Sequence, residues 1–155
     1  MSDPNVFDPQ WEHDRGTVRG VRVGAAAGAA SLGANLFELE PGAQAAPYHM
    51  HHGNEELLIV LEGRPELRTP KGKRTLEPGA VVAFPAGASG AHRLRAGSER
   101  CRYVIMSTMR YPDVAVHVDT GTVLALTEEG DGLVFPGDAA GDFEELFERA
   151  HAADR

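Results

Sequence analysis

The sequence predicts an all-β domain, a sandwich or barrel of short antiparallel strands. Three observations predict it. Apolar alternations of four to seven residues recur roughly every 8–12 residues with turn residues between them. Glycine and proline number 18 and 10 in 155 residues, which suits many turns. No stretch alternates strands with long helical patterns, and no repeat of about 30 residues is present. At this length one domain is expected, and such a chain buries roughly 68–70% of its unfolded surface without disulfide staples.

Taken in order, residues 1–16 read as an extended arm, with Trp11 packing it on the body. Thr17–Val23 alternates at Val21 and Val23 and reads as a half-buried strand. Gly24–Ala30 is small and featureless, a strand edge or a loop. Ser31–Glu40 reads as a strand ended by Pro41-Gly42. The middle is the most regular part, with strands at Glu56–Leu61, Glu66–Thr69, Arg74–Leu76, Ala80–Phe84, His92–Arg95 and Cys101–Ser107. Val114–Val118 and Thr122–Leu126 follow, separated by Asp119-Thr120-Gly121. A C-terminal helix is predicted after the Gly-rich stretch Gly130–Gly141. Asp142 can cap it, Glu145 completes a capping-box-like pair, and Phe143, Leu146, Phe147 and Ala150 form one apolar stripe. The expected organisation is an arm over 1–16, a β-domain over 17–126, and a loop and helix over 127–155.

Charge and composition exclude several classes. The 15 basic against 23 acidic residues give a net charge of −8. A broad nucleic-acid surface is therefore not expected, because that affinity rests on Lys and Arg neutralising phosphates. No apolar run approaches the ~20 residues that span a bilayer. The polar start Met1-Ser2-Asp3-Pro4-Asn5 has no secretory pattern. The single Cys101 cannot form an intramolecular disulfide, so a reducing, cytoplasmic setting is expected. Cys101 itself reads as a buried small hydrophobe.

Four of the seven histidines fall in two short segments, His49, His51 and His52 in one and His92 in the other. His49 and His51 are two apart, so an extended chain points both imidazoles to one face. A carboxylate follows at Glu55 or Glu56. The phase of the next strand does not choose between them, since Glu56, Leu58 and Val60 share one face, Leu57, Ile59 and Leu61 the other, and both are apolar. Imidazoles with one carboxylate suit Zn, Fe, Mn, Ni or Cu and leave positions open for water or substrate. A hydrolytic site is disfavoured, because there is no G-x-S-x-G elbow and no Ser or Cys beside the cluster.

These residues resemble the two motifs of the cupin superfamily. The first, G-x5-H-x-H-x(3,4)-E-x6-G, is met by Gly42, His49, His51, Glu56 and Gly63, with a first spacer of six residues instead of five. The second, G-x5-P-x-G-x2-H-x3-N, is met by Gly79, Pro85, Gly87 and His92, with two extra residues before the histidine and Ala96 in place of the final Asn. The resemblance covers roughly residues 31–107, and is closest to small single-domain bacterial cupins. It implies a double-stranded β-helix, a jelly-roll-like barrel, with His49, His51, Glu56 and His92 holding one divalent transition metal ion per chain. It selects Glu56 over Glu55 and implies a homodimer.

The remaining candidates read as follows. Glu55 is solvated, paired with an Arg, or orients a ligating imidazole. His52 faces away from His51. Tyr48, Phe84, Tyr103 and Met106 are core packing or pocket walls. Arg93 and Arg95 point outside, and Lys71-Gly72-Lys73-Arg74 is a solvated hairpin tip. His13, His117 and His151 are surface residues. The function expected is a small-molecule metalloenzyme, oxygenase-, isomerase- or decarboxylase-like, with its site inside the barrel and no general acid or base placed by pattern. The alternative is a non-catalytic small-molecule binding or sensing cupin. The partner is a small molecule rather than nucleic acid or membrane.

Overall fold

The computed structural model describes residues 3–139 and, beyond them, 144, 145, 148, 149 and 152. Thirteen strands are present among the described residues. They are β1 (His13–Asp14), β2 (Val18–Val21), β3 (Gly33–Leu39), β4 (His49–His51), β5 (Glu56–Glu62), β6 (Glu66–Thr69) and β7 (Gly72–Thr75). They continue as β8 (Val81–Phe84), β9 (Arg93–Arg95), β10 (Cys101–Ser107), β11 (Asp113–His117), β12 (Thr122–Glu128) and β13 (Asp131–Phe135). The fold is mostly β, as the alternations predict. The strands do not close into one hydrogen-bonded barrel. They form sheets of six (β1-β2-β3-β10-β5-β8), four (β13-β12-β11-β4) and three (β7-β6-β9) strands, and a single bridge, His49 to His92, joins the last two.

Register fixes the faces of the large sheet. Tyr103 lies between Phe37 and Val60, and Ile105 between Asn35 and Leu58. These rows face inward with Leu39, Cys101 and Phe84 and build the main core with Leu67 and Leu94 from the three-stranded sheet and Leu76 just past the end of β7. Successive residues alternate faces, so Leu36, Glu38, Arg102, Val104 and Met106 face outward. That outer face carries a second cluster of Val21, Val23, Leu36 and Val104, covered by Val6 and Trp11 of the N-terminal arm. Both faces of β5 are apolar because each meets a different cluster, Leu58 and Val60 the inner one and Leu61 the outer one.

Two expectations change. Gly24–Ala30 was expected as a strand edge or loop, but α1 (Val23–Ala26) occupies its start. Alanine favours helix, and Gly24 lets this turn sit on β3, since a Cβ there would lie 2.8 Å from the Ala34 nitrogen. The region after Thr122–Leu126 is not only loop. The chain turns at Gly130, whose φ of 78° suits glycine, and β13 returns against β12. The predicted helix rests on Asp142, Phe143, Leu146, Phe147 and Ala150, which lie outside the described residues. No described helix is long and apolar enough to cross a membrane.

Candidate metal centre

Strand pairing brings the histidines together from distant parts of the chain. β4 pairs with β11, so His51 faces Ala115 and His49 faces His117. The His49–His92 bridge, with both backbone hydrogen bonds at 2.8–3.1 Å, docks the start of β9 alongside β4. Glu56 opens β5 on its inward face, opposite Ser107 and beside Phe84. The two extra residues before His92 are absorbed by a 3₁₀ turn at Ala88–Gly90. Gly90 is required in it, because a Cβ would lie 1.8 Å from the Pro85 carbonyl oxygen. The closing glycine of the first motif also has a steric reason: at Gly63, φ is 73° and a Cβ would lie 2.2 Å from the Arg100 carbonyl oxygen.

The ligand atoms of His49, His51 and Glu56 all lie within 4.8 Å of one another. Glu56 Oε2 is 3.8 Å from His51 Nε2 and 3.4 Å from His92 Nε2. Each imidazole is oriented by an acceptor on its other nitrogen. His49 Nδ1 donates to the Pro47 carbonyl at 2.8 Å, His92 Nδ1 to the Gly90 carbonyl at 3.0 Å, and His51 Nδ1 to Asp113 Oδ2 at 2.6 Å. Carbonyl and carboxylate oxygens only accept, so the proton of each neutral ring sits on Nδ1 and its Nε2 lone pair is free. The His92 ring also stacks on Phe84, 3.8 Å between centroids and 7° between planes.

Electrostatics separates the groups. Burial, with the neighbouring His49, depresses His92 to about 3, so it stays neutral across the physiological range. Burial lowers His49 as well, with the Pro47 hydrogen bond opposing in part. Burial raises Glu56, against the pull of His51. Asp113 is buried too, but the hydrogen-bond donors around it, among them His51 and the Gly53 amide at 2.7 Å, outweigh burial and hold it below its ordinary value.

The pairing of Glu56 with His92 tests whether these residues suit a metal. Glu56 Oε2 and His92 Nε2 are both buried, and neither has a hydrogen-bond partner. With the His92 proton on Nδ1 and Glu56 ionised, the two facing atoms are both lone-pair acceptors, an arrangement that costs free energy unless a cation or a proton lies between them. Two imidazole nitrogens and a carboxylate oxygen grouped in this way fit a divalent transition metal; His92 falls outside that group of three and approaches it through Glu56.

Several other residues fall differently from expectation. Asp113, not Glu55, orients His51; Glu55 is exposed, and its backbone amide meets the Thr108 hydroxyl. Asn54 secures the approach to Asp113, taking hydrogen bonds from the Thr108 hydroxyl and the Arg110 amide and donating to the Arg110 carbonyl. His117, expected at the surface, is half-buried opposite His49. Of the four expected core or wall residues, Tyr103 lines the cavity and Phe84 backs His92, while Tyr48 packs under Arg68 and Met106 joins the outer cluster. His52 is exposed. Cys101 is buried, and burial pushes its thiol up to about 12. Arg95 points outside as expected, to the Gly42 carbonyl at 2.8 Å, but Arg93 does not: it lines the cavity beside His49, Glu56 and His92, its Nε is buried without a partner, and its Nη2 reaches Glu66 at 3.3 Å.

Comparison with known proteins agrees with this architecture. Residues 35–107 match the family described as Cupin domain. A sugar phosphate isomerase of the cupin superfamily from Silicibacter pomeroyi superposes with a TM-score of 0.72 at 26% identity, covering 83% of this chain and 82% of that one. A candidate sugar phosphate isomerase from Acidithiobacillus ferrooxidans superposes with a TM-score of 0.72 at 25% identity, covering 81% and 80%. A polyketide cyclase from Streptomyces resistomycificus shares the fold, with a TM-score of 0.59 at 24% identity over 73% and 83%. No curated protein sequence matches the chain significantly.

Proposed function

From the match of residues 35–107 to the Cupin domain family we propose that the protein is a metal-dependent small-molecule enzyme of isomerase type. His49, His51, Glu56 and His92 hold one divalent transition metal ion per chain. The observation that carries the reading is the buried, unpartnered pair Glu56 Oε2 and His92 Nε2, set among imidazoles whose Nδ1 atoms are already engaged. The isomerase assignment is supported by the two sugar phosphate isomerase-like structures, which match this chain over about four-fifths of its length.

When bound, such an ion acts as a Lewis acid that polarises a substrate oxygen. The chain's own residues supply the rest. Asp113 and the Pro47 and Gly90 carbonyls lock the rings, so the donor set is preorganised rather than assembled on binding. Phe37 and Ile105 line the space beside Glu56 and Phe84 stacks on His92, and these apolar walls strengthen charge interactions there.

Elemental analysis of protein purified without an affinity tag tests the metal site. About one ion per wild-type chain is expected, and almost none in the His51→Ala, Glu56→Ala double variant. Equal metal in both would remove the assignment. Turnover of aldose and ketose substrates by the loaded protein is expected, whereas binding without turnover across the panel would make it a binding protein instead.

A further inference from the structure

Among the described residues, three buried side-chain nitrogen or oxygen atoms have no hydrogen-bond partner: Glu56 Oε2, His92 Nε2 and Arg93 Nε. All three residues line one cavity, with a volume of about 190 Å³. At roughly 30 Å³ per water molecule, that is space for a small organic molecule or the reacting end of a larger one. The three atoms need different partners. Glu56 Oε2 and His92 Nε2 carry lone pairs, and a cation can answer both. Arg93 Nε carries an N–H that a guanidinium does not give up, so it needs an acceptor. A metal ion at the histidines and Glu56 therefore leaves Arg93 unanswered. Arg93 is also the one lining residue with a permanent positive charge.

The surrounding side chains do not supply that acceptor. Among the described residues the one carboxylate paired with Arg93 is Glu66, which takes Nη2 at 3.3 Å and leaves Nε bare. Glu66 is shared with Lys73, whose Nζ lies 3.2 Å away. Arg68 sits directly opposite Arg93 in the pairing of β6 with β9, and like charges facing each other across strands destabilise a sheet. Arg68 is itself held by Asp119 at 2.6 and 2.8 Å. Three cations thus share two carboxylates, and Arg93 is the member of that cluster that reaches the cavity. A charged N–H buried without a partner costs more than a neutral donor does. The Nε–Nη2 edge of a guanidinium is shaped to hold two oxygens of one anion.

We propose that Arg93 is a substrate-binding residue, and that it takes an oxyanion, a carboxylate or a phosphoryl group, on a small hydroxy-carbonyl compound held in this cavity. The inference rests on the metal-dependent reading above and deepens it by naming the substrate class. The carboxylate and the phosphoryl group share the chemistry that matters here, two oxygens for one guanidinium edge. An anion fixed on Arg93 leaves the other oxygens of the molecule to the side of the cavity lined by His49, Glu56 and His92. A neutral compound with the same carbonyl end lacks the group that satisfies Arg93.

Three hydroxymethyl ketones test this: 5-hydroxylevulinate carries a carboxylate, dihydroxyacetone phosphate a phosphoryl group, and 1-hydroxybutan-2-one neither. Each is titrated by calorimetry into metal-loaded full-length protein, as wild type, Arg93→Gln, Arg93→Lys and Lys73→Gln, with metal content and urea midpoint measured on each sample. At least one anion is expected to bind wild type about 10-fold or more tighter than the neutral ketone, and the tighter of the two names the group. Arg93→Gln is expected to weaken that anion about 10- to 100-fold, the size of a lost charge-assisted hydrogen bond, and the neutral ketone by less than about twofold. Arg93→Lys keeps a charge for Glu66 but not the Nε–Nη2 edge, so about fivefold weakening is expected there, even where Arg93→Gln lowers the urea midpoint. Lys73→Gln removes a cation outside the cavity and is expected to leave anion affinity within about twofold. No preference for either anion, or an Arg93→Gln loss no larger than that of Lys73→Gln, overturns the inference while leaving the metal site standing. A wild-type sample without metal overturns the metal-dependent reading instead, and its anion titrations still decide the role of Arg93.

Discussion

Glu38 and Glu56 are two low-exposure carboxylates on opposite faces of the same six-stranded sheet, and the chain treats them in opposite ways. Glu38 faces outward under the N-terminal arm and is 2% exposed. Arg102 holds it through Nη2 at 2.6 Å and Nε at 3.1 Å, Arg19 bonds its other oxygen, and Arg100 lies 3.6 Å away. Trp11 closes the cluster, its ring 5.3 Å from the Arg19 guanidinium and 5.8 Å from that of Arg102. Burial would raise Glu38, but the Arg102 hydrogen bonds and the three positive charges hold it below its ordinary 4.5. Glu56 faces inward, has one oxygen without a partner, and is raised by burial. One carboxylate is satisfied and pins the arm to the sheet. The other is left unsatisfied, which is the condition a metal site needs.

The sharpest way to break this comparison is to neutralise each carboxylate in metal-free protein. Glu38→Gln removes the negative partner of three arginines and is expected to cost about 3 kcal/mol. Glu56→Gln removes a buried unpartnered charge and adds an N–H that can reach His92 Nε2, so a gain of about 1 kcal/mol is expected. The pH dependence has opposite signs too. A carboxyl depressed on folding stabilises above its unfolded value and loses that contribution as pH falls through the lower folded value. The acid sensitivity due to Glu38 therefore develops below about 4.5 and is missing from Glu38→Gln. A carboxyl raised on folding does the reverse: its penalty is present above the raised value and relieved as pH falls through it. Glu56→Gln should accordingly gain at pH 7 and little at pH 4. Urea midpoints of the three proteins at both pH values check this, and a destabilised Glu56→Gln would mean that the carboxylate is satisfied after all.

Asp113→Asn sharpens the comparison from within the site. Asp113 is a carboxylate of the Glu38 kind, buried and fully engaged, but placed beside His51. Its amide variant keeps the volume but turns one of the two acceptor oxygens into an N–H donor, so it can no longer accept from both His51 Nδ1 and the Gly53 amide. A 10- to 100-fold loss of metal affinity is expected, read by competition with a chromophoric chelator. Unchanged affinity would show that strand pairing alone orients His51.

How much of this was legible depended on the distance over which the information travels. Strands β5, β6 and β10 were readable because alternation and turn residues are local, and Cys101–Ser107 has the same bounds in the sequence reading and in the structure. The pairing of His49, His51 and Glu56 was readable because all three fall within eight residues of one motif. Asp113 was not, because it reaches His51 across 62 residues through the pairing of β11 with β4. The same pairing turns His117 from a lone surface histidine into the neighbour of His49. The α1 turn was hidden by its composition, since what selects it is the tight seat of Gly24 on β3 rather than any periodicity. Strand β13 was masked by the glycines around it, although Leu133, Val134 and Phe135 behind the Gly130 turn were a usable signal.

The smallest expected effect concerns the carboxylate that phase alone could not separate from Glu56. Glu55 precedes β5, is exposed, and contacts Thr108 through its backbone rather than its side chain. Glu55→Gln is therefore expected to change the urea midpoint by less than about 0.5 kcal/mol and to leave the metal content of the purified protein at the wild-type value. One residue further along, the same chemical change is expected to empty the site, because the pleat of β5 turns Glu56 toward His92 and the neighbouring side chain toward solvent. If Glu55→Gln lost metal instead, the register of β5 against β10 would have to be one residue away from the pairing of Glu56 with Ser107, and with it the inward face that holds Leu58 and Val60 in the core.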